Sequence, residues 1–473
     1  MKNTLLTIVS LASVPAQAFA GALTVGPDYE RPAVAEAPAW KAAATPGPLA
    51  HGDWWTLFGD PDLDALVARA LEANQNLRAA AARVDQARAA AGLARSNYFP
   101  AVGAQALVDR ARTSETTDNR FPVTESTGYR AWFDASWEID LFGRVRRLNE
   151  SARAEAEASA ADFAHVRLAL TAEVASSYFS LRALDRELAL VVDGVGLRRK
   201  ALELVASRRD HGAATDFDVA RAETELASTE AEAAALANRR AALQNALAVL
   251  TGRAAPAFEV SSLKSEITAP PTIPSGLPSE LLERRPDVAA AELALAAANA
   301  RIGVARAAFF PAISLTGTFG TASGEIDQLF EADSRLWSFG PSLRLPVFQG
   351  GRNRANLERS RAVYEENVAL FRQRVLVAFR EVQDGLVATQ LLAEQAAAQD
   401  RAVAAARRAG ELAQTRYDAG FVNYFEVIDA QRTVLAAERA ATQLGAQRLL
   451  AGVGLVKALG GGWSRPALVA ATP

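Results

Sequence analysis

Cysteine is absent from the 473 residues. That excludes disulfides, thiolate metal sites, thiol nucleophiles and a lipidated N-terminal cysteine. Histidine is scarce. His51, His165 and His211 lie far apart, and none has a metal-ligand neighbour at helical spacing. No glycine-rich loop opens a helix as a phosphate cradle would. Gly460-Gly461-Gly462 follows a helical pattern instead and terminates it. No excess of one charge exists: 51 basic residues face 54 acidic ones. The two signs alternate along the chain, as on solvated helix faces, so no polyanion partner is implied. Beyond the N-terminus no stretch reaches the ~18 uninterrupted apolar residues of a membrane helix. Contact with a membrane therefore falls to strands. Nothing points to catalysis, a metal or a cofactor.

The N-terminus reads as an export signal over 1–20. Lys2 precedes a short apolar core at 5–14, and Ala16-Gln17-Ala18 and Ala18-Phe19-Ala20 are candidate cleavage sites. A Pro-rich extended arm follows over 21–62.

The remaining sequence is one unit written twice. Residues 79–102 match 290–313, with Gly92 over Gly303 and Phe99-Pro100 over Phe310-Pro311. Residues 208–223 match 416–431, with Gly212 over Gly420. A repeat of this kind fixes the architecture. Each copy, 63–252 and 279–460, predicts a helix, two short strands, a very long helix and a returning helix. An irregular Pro-rich connector spans 253–278, and a tail spans 461–473.

Asp60-Pro61-Asp62 predicts a helix start, running through Leu63, Leu66, Leu71 and Leu77 towards Ser96. The clearest strand is 129–141. Ala131, Phe133, Ala135, Trp137 and Ile139 share one face, and Trp132, Asp134, Ser136, Glu138 and Asp140 the other. Its counterpart, 336–347, alternates Trp337, Phe339, Leu343 and Leu345 with Ser338, Gly340, Ser342 and Arg344. Partner strands fall at 101–108 and 312–319, with long polar loops between. A helix from Gly143 to Asp210 follows, on the order of 100 Å at ~1.5 Å per residue. Its apolar seam runs through Leu170, Val174, Tyr178, Leu181, Leu184, Leu188, Val191, Val195, Leu202 and Val205. Gly194 and Gly196 suggest a bend. The return is 216–250, and the second copy offers 352–417 and 424–459.

Two architectures fit alternating strands: a soluble sandwich, or a transmembrane barrel with its apolar face towards lipid. Tyr129, Trp132, Trp137 and Trp337 favour the barrel, because aromatics gather at bilayer interfaces. One chain offers four strands, and bacterial barrels begin at about eight. An open sheet in lipid leaves unpaired backbone groups at several kcal/mol each. A barrel therefore has to be built jointly. Two chains give a filled bore, and three give twelve strands around a channel.

Four stretches carry a family resemblance. They are 25–32 (VGPDYERP), 137–144 (WEIDLFGR), 281–311 (LLERRPDVAAAELALAAANARIGVARAAFFP) and 416–432 (RYDAGFVNYFEVIDAQR). Together they resemble the outer-membrane efflux factors, the TolC-like ducts, and within them the NodT-type branch that serves RND pumps. The resemblance covers nearly all of the chain after the export signal. It implies a mainly α fold with a β-barrel part: a homotrimer with a twelve-stranded outer-membrane barrel and a twelve-helix periplasmic tunnel. It also implies a passive duct for drugs and other small toxic compounds, opened by a periplasmic adaptor protein and driven by an RND inner-membrane pump. Members of this branch often carry a lipoprotein cysteine shortly before VGPDY. Here the region reads Ala20-Gly21-Ala22-Leu23-Thr24, so the barrel alone is expected to hold the protein in the membrane. A type I protein-secretion duct and a soluble periplasmic coiled-coil scaffold are the alternative readings.

The same resemblance places the closed aperture at the helix turns, where Gly212 and Gly420 allow sharp reversals. The constriction maps to Phe425 and Asp429, with Arg416 and Arg432 as latch partners and Asp216 and Asp218 at the first-copy turn. A carboxylate ring in a narrow throat attracts cations, and a phenylalanine ring closes it by dewetting. The plainer reading is capping, with Asp216 as N-cap after Thr215.

Overall fold

The computed structural model describes residues 24–34, 39–41, 52–114, 116, 125–262, 270–274, 276 and 278–465. The export signal, Pro38, Pro46, Pro48, His51 and the end of the tail lie outside them. The described chain forms four strands, β1 (Ala101–Arg112), β2 (Glu125–Ile139), β3 (Ala312–Ser323) and β4 (Arg335–Arg344). Its α-helices are α1 (Pro61–Ala73), α2 (Gln75–Ser96), α3 (Arg144–Asp210), α4 (Asp216–Leu250), α5 (Pro278–Arg284), α6 (Pro286–Ala307), α7 (Arg352–Asp418) and α8 (Tyr424–Ala458). The repeat order holds in both copies. The strands run further than their apolar alternation indicates, because pairing continues through Asp109, Arg110 and Arg112 of β1.

Two compact units emerge. Among the described residues, the first comprises 24–33, 83–114, 116, 125–160 and 290–371. Its sheet is an antiparallel meander in the order β1-β2-β3-β4. The register sets Ala104 opposite Phe133, Phe133 opposite Phe319 and Phe319 opposite Trp337. Opposite residues share a face, so this row is apolar across all four strands. The next row, through Gly103, Asp134, Thr318 and Ser338, lies on the other face and is polar or small. A soluble sandwich would bury the apolar face. Here Phe133 is 58% exposed, Phe319 61% and Trp337 77%.

The VGPDYERP arm packs against both copies of the repeat in this unit. Asp28 takes a hydrogen bond from Arg147 at 2.7 Å, Asn299 donates to the Pro27 carbonyl at 3.0 Å, and Arg31 pairs with Glu292 at 3.0 Å. Gly26 requires its lack of a side chain: its φ is +106°, and an added Cβ would lie 2.5 Å from the Gly303 Cα. The Val25 N–H donates to the Phe142 carbonyl at 3.1 Å, so three of the four family stretches meet through specific contacts.

Among the described residues, the second unit comprises 34, 39–41, 52–82, 161–262, 270–274, 276, 278–289 and 372–465. Asp60 caps α1 by accepting from the Asp62 and Leu63 N–H groups, and Tyr178 donates to its other oxygen at 2.7 Å. The helix expected to continue to Ser96 breaks at Asn74, whose ψ is +124°. The Asn74 side chain donates to the Leu250 carbonyl and accepts from the Leu77 N–H, restarting the chain as α2. Along α3, Leu170, Val174, Tyr178, Leu181, Val191 and Val205 are buried as the seam predicts, each contributing about 1.5–3 kcal/mol. Leu184, Leu188, Val195 and Leu202 are half-buried. Gly194 does not interrupt the helix; a Cβ there would lie 3.0 Å from an Arg198 nitrogen.

The RRPD segment ties this unit together. Arg285 is buried and forks onto Asp287 at 2.8 and 2.9 Å, then reaches Glu381 of α7 and the Ala458 carbonyl of α8. Helix α6, which Asp287 opens, is apolar enough to cross a membrane by composition, but 67% of its apolar window is buried inside the protein. It is a core helix. Gly460, Gly461 and Gly462 all take positive φ and end α8 as expected.

Candidate functional site: the helix turns and their ion pairs

The turns after α3 and α7 are built alike. Gly212 (φ +77°) and Gly420 (φ +78°) adopt the left-handed conformation that ends a helix. The Ala213 N–H reaches back to the Arg208 carbonyl at 2.8 Å, and the Phe421 N–H to the Arg416 carbonyl at 2.9 Å. Thr215 then caps α4, and Asn423 caps α8 by accepting from the Phe425 N–H.

The structure corrects the capping reading at the first turn. Thr215, not Asp216, is the N-cap, because its hydroxyl sits where it meets the Asp218 N–H. Asp218 returns the contact, accepting from the Thr215 N–H and hydroxyl at 2.8 Å each. Those two donors hold the Asp218 carboxyl below the usual carboxylate range. Asp216 instead pairs with Arg209 at 3.3 Å on the surface.

At the second turn Phe425 is half-buried beneath Arg221, whose guanidinium lies 4.3 Å from the ring centre. Arg208 covers Tyr417 in the same way at 4.7 Å, and Tyr417 leans on Tyr424. Cation–π contacts thus join the two hairpins at their tips. Phe217 and Phe421 remain 70% and 79% exposed.

Neither predicted latch arginine meets Asp429 within the chain. Arg416 pairs with Glu426 at 3.7 Å. Arg432 pairs with Glu225 of α4 through Nε at 2.8 Å and through Nη2. Asp429 is exposed, and among the described residues no ion pair engages its carboxylate. The physical reason lies in burial. Glu225 is removed from water and also lies 4.0 Å from Arg198, so it attracts Arg432 in a lower dielectric than Asp429 offers. Burial, then the neighbouring Arg432 charge, lowers the Arg198 pKa.

Sequence reasoning missed Glu225, Arg198 and Arg221. A signal was present for Glu225. Ala222, Glu225 and Thr229 share the buried stripe of α4 at spacings of three and four, so a carboxylate occupies a seam position. Further from the turns the pattern recurs: Arg439 of α8 joins Glu187 of α3 and Glu232 of α4 across the hairpins, while Arg407 and Glu438 at 2.7 Å tie α7 to α8 within the second one. Arginine–glutamate pairs, rather than apolar packing alone, link the two hairpins.

Comparison with known proteins gives this geometry its setting. A family model described as outer membrane efflux protein matches residues 66–253 and 277–461, one stretch for each repeat. Outer membrane protein OprJ of Pseudomonas aeruginosa is 39% identical over 451 residues, covering 94% of each chain. The toluene efflux pump outer membrane protein TtgF of Pseudomonas putida is 37% identical, covering 92% of this chain and 93% of that one. Among solved structures, the outer-membrane channel OprN superposes with a TM-score of 0.83 at 33% identity, covering 93% of this chain and 99% of that one. The open state of the MtrE outer membrane channel of Neisseria gonorrhoeae gives 0.82 at 34% identity, with the same coverage. TtgF is named as a pump component, and OprN and MtrE as outer-membrane channels. The uncovered apolar sheet and the paired helical hairpins are therefore those of a TolC-like efflux channel of the outer membrane, and the chain belongs to the outer membrane efflux protein family.

Proposed function

We propose that three copies of this chain form one barrel and one helical tunnel, and that the assembly is the passive exit duct of a tripartite pump. The observation that carries this reading is the sheet. It has an exposed apolar face and two outer edges, β1 and β4, that pair with no strand among the described residues. In lipid such edges cost several kcal/mol per unpaired group. Three sheets of four strands close them and leave a bore. A periplasmic adaptor and an RND inner-membrane pump supply opening and energy. Relatives named for toluene and antibiotic efflux support small apolar or amphipathic toxic compounds as cargo, and favour that over protein secretion. The gate lies at the two turns. Phe425 and Asp429 line the throat, Arg416 and Arg432 hold it, and Asp216 and Asp218 belong to the first-copy turn.

Native mass spectrometry of detergent-extracted outer membranes tests the assembly, with a trimer expected. Deleting the gene in a host relying on its pump should restore sensitivity to toluene-like solvents. A monomer in the soluble periplasmic fraction would overturn the reading.

A further inference from the structure

Where α3 runs beside α7 and α8, the second unit holds a groove of about 490 Å³. That volume falls in the range of roughly 300–1,000 Å³ found for sites of drug-sized ligands. Both hairpins supply its apolar lining: Leu190 of α3, Ala396 and Val403 of α7, and Leu444 of α8. The lining residues of α7, and those of α8, recur at spacings of three and four, so each helix offers a single face. Ala396, Ala404, Ala441 and Gly445 have too little side chain to fill the space between these faces, and close packing fails there.

Charge is unevenly used in this groove. Arg407 and Glu438 satisfy each other at 2.7 Å. Asp400, the other carboxylate of the lining, is exposed, so solvent screens it. Arg186 of α3 and Arg448 of α8 are half-buried, and among the described residues no ion pair or side-chain hydrogen bond engages either. The carboxylate next to Arg186 in sequence, Glu187, is already taken by Arg439 and Gln443. One arginine from each hairpin therefore faces an apolar space with its donors unused by the chain. A guanidinium is always charged, weakly hydrated and shaped to hold carboxylates and related oxyanions.

We infer that this groove binds a small amphipathic organic anion. Its carboxylate, sulfonate or phosphate head is held by Arg186 and Arg448, and its ring or alkyl body lies on Val403, Ala396 and Leu444. The apolar body is required because most of the lining offers no polar group. The anionic head is required because the two uncommitted groups are both cations. Bound there, the ligand supplies what Glu187 and Glu225 supply elsewhere, an anion that an arginine of the opposite hairpin can grip. The groove is lined by a single chain, so the inference goes beyond the duct reading and does not depend on the number of copies.

The test is a binding titration on the full-length protein in nanodiscs of zwitterionic lipid, with empty nanodiscs subtracted. The probe is a naphthalenesulfonate, followed by its fluorescence, and naphthylmethanol is the neutral counterpart. The sulfonate should bind saturably and the alcohol at least roughly tenfold more weakly, the worth of a charge-assisted contact. Arg186→Gln and Arg448→Gln should each weaken the sulfonate roughly tenfold and leave the alcohol unchanged. Asp400→Asn should tighten the sulfonate by roughly 1.5–5-fold, since it removes an exposed like charge. This third variant keeps the test decisive if either arginine variant fails to fold. No saturable binding to the parent protein would overturn the site, as would equal affinity for sulfonate and alcohol or an affinity that none of the three substitutions moves. A hexaglutamate peptide that binds through both arginines while the sulfonate does not would also overturn it, and would assign the groove to an acidic protein segment instead.

Discussion

Arg432 grips Glu225 through two guanidinium nitrogens, tying α8 to α4 between two and three helical turns beyond the capped reversals. The acid is buried and the arginine is half in solvent. A pair of this kind is worth more than the 0.2–1 kcal/mol of a fully exposed one and less than the 3–5 kcal/mol lost on breaking a fully buried one. Glu225→Gln leaves Arg198 and Arg432 facing each other without a counter-charge. Loss of about 1–2 kcal/mol per protomer is expected, a factor of roughly 5–30 in any equilibrium that the pair controls. If the pair holds the hairpins in the closed arrangement, Glu225→Gln should open more often in planar bilayers. Arg432→Ser combined with Arg416→Ser should do the same. Single-channel records indistinguishable from the parent protein in both variants would remove these pairs from the gate.

Asp429 gives a different readout. It is exposed and carries no ion pair among the described residues, so three copies around a throat would present three bare carboxylates. Such a ring favours cations. Asp429→Asn should shift the reversal potential in a salt gradient towards lower cation preference, with little change in stability. Phe425→Ala should instead raise conductance, since the ring and its Arg221 cover contribute bulk to the same tip. An unchanged reversal potential in Asp429→Asn would place the narrowest point elsewhere, the first-copy turn at Asp216 being the next place to probe.

Much of this was legible in the sequence, for identifiable reasons. The period-2 alternation of β2 placed Phe133 and Asp134 on opposite faces, and the register bears that out. Gly212 and Gly420 marked the reversals, because a positive φ demands glycine. The break at Asn74 was not legible: it depends on the Leu250 carbonyl, 176 residues away. The partners of Arg432 and Arg416 were not legible either. Choosing Glu225 over Asp429 requires knowing which carboxylate is buried, a property of packing between hairpins that helical spacing does not report. The cap at Thr215 was decided by one hydroxyl reaching the N3 amide, an outcome neighbouring acidic residues obscure.

The sheet makes a prediction that separates lipid from water. Phe133 and Asp134 are adjacent on β2 but belong to opposite faces. Phe133→Arg would place a cation against hydrocarbon, at about 2–4 kcal/mol near the midplane. Asp134→Arg would place it on the polar face, where it loses the Gln105 contact at 2.8 Å and little else. Yields of heat-resistant oligomer on unboiled gels should fall sharply for Phe133→Arg and much less for Asp134→Arg. Equal yields would mean that the two faces do not divide lipid from water, and the reverse order would mean that they are assigned the wrong way round.

The last prediction concerns acid stability in the second unit. His165 lies among Asp162, Asp287, Arg285 and Arg374, and burial lowers its pKa from the ordinary 6.5. Folding therefore disfavours its proton, and the unfolded chain takes one up first as pH falls below about 6.5. Asp287 behaves differently. Burial opposes its charge, but the Arg285 fork outweighs burial and holds the carboxyl below its ordinary 3.8. Its contribution is present above that value and is lost only as pH falls through the lowered one. Two acid steps follow, one beginning near pH 6.5 and one below about 4. The thermal midpoint of the detergent-solubilised protein should drop between pH 7.5 and 5, and His165→Gln should flatten that limb without touching the lower one. Asp287→Asn should instead destabilise at every pH above 4, by about 3 kcal/mol, because it leaves the buried Arg285 with Glu381 as its remaining carboxylate. A midpoint in His165→Gln that still falls as steeply as the parent's between pH 7.5 and 5 would show that another group governs the first step.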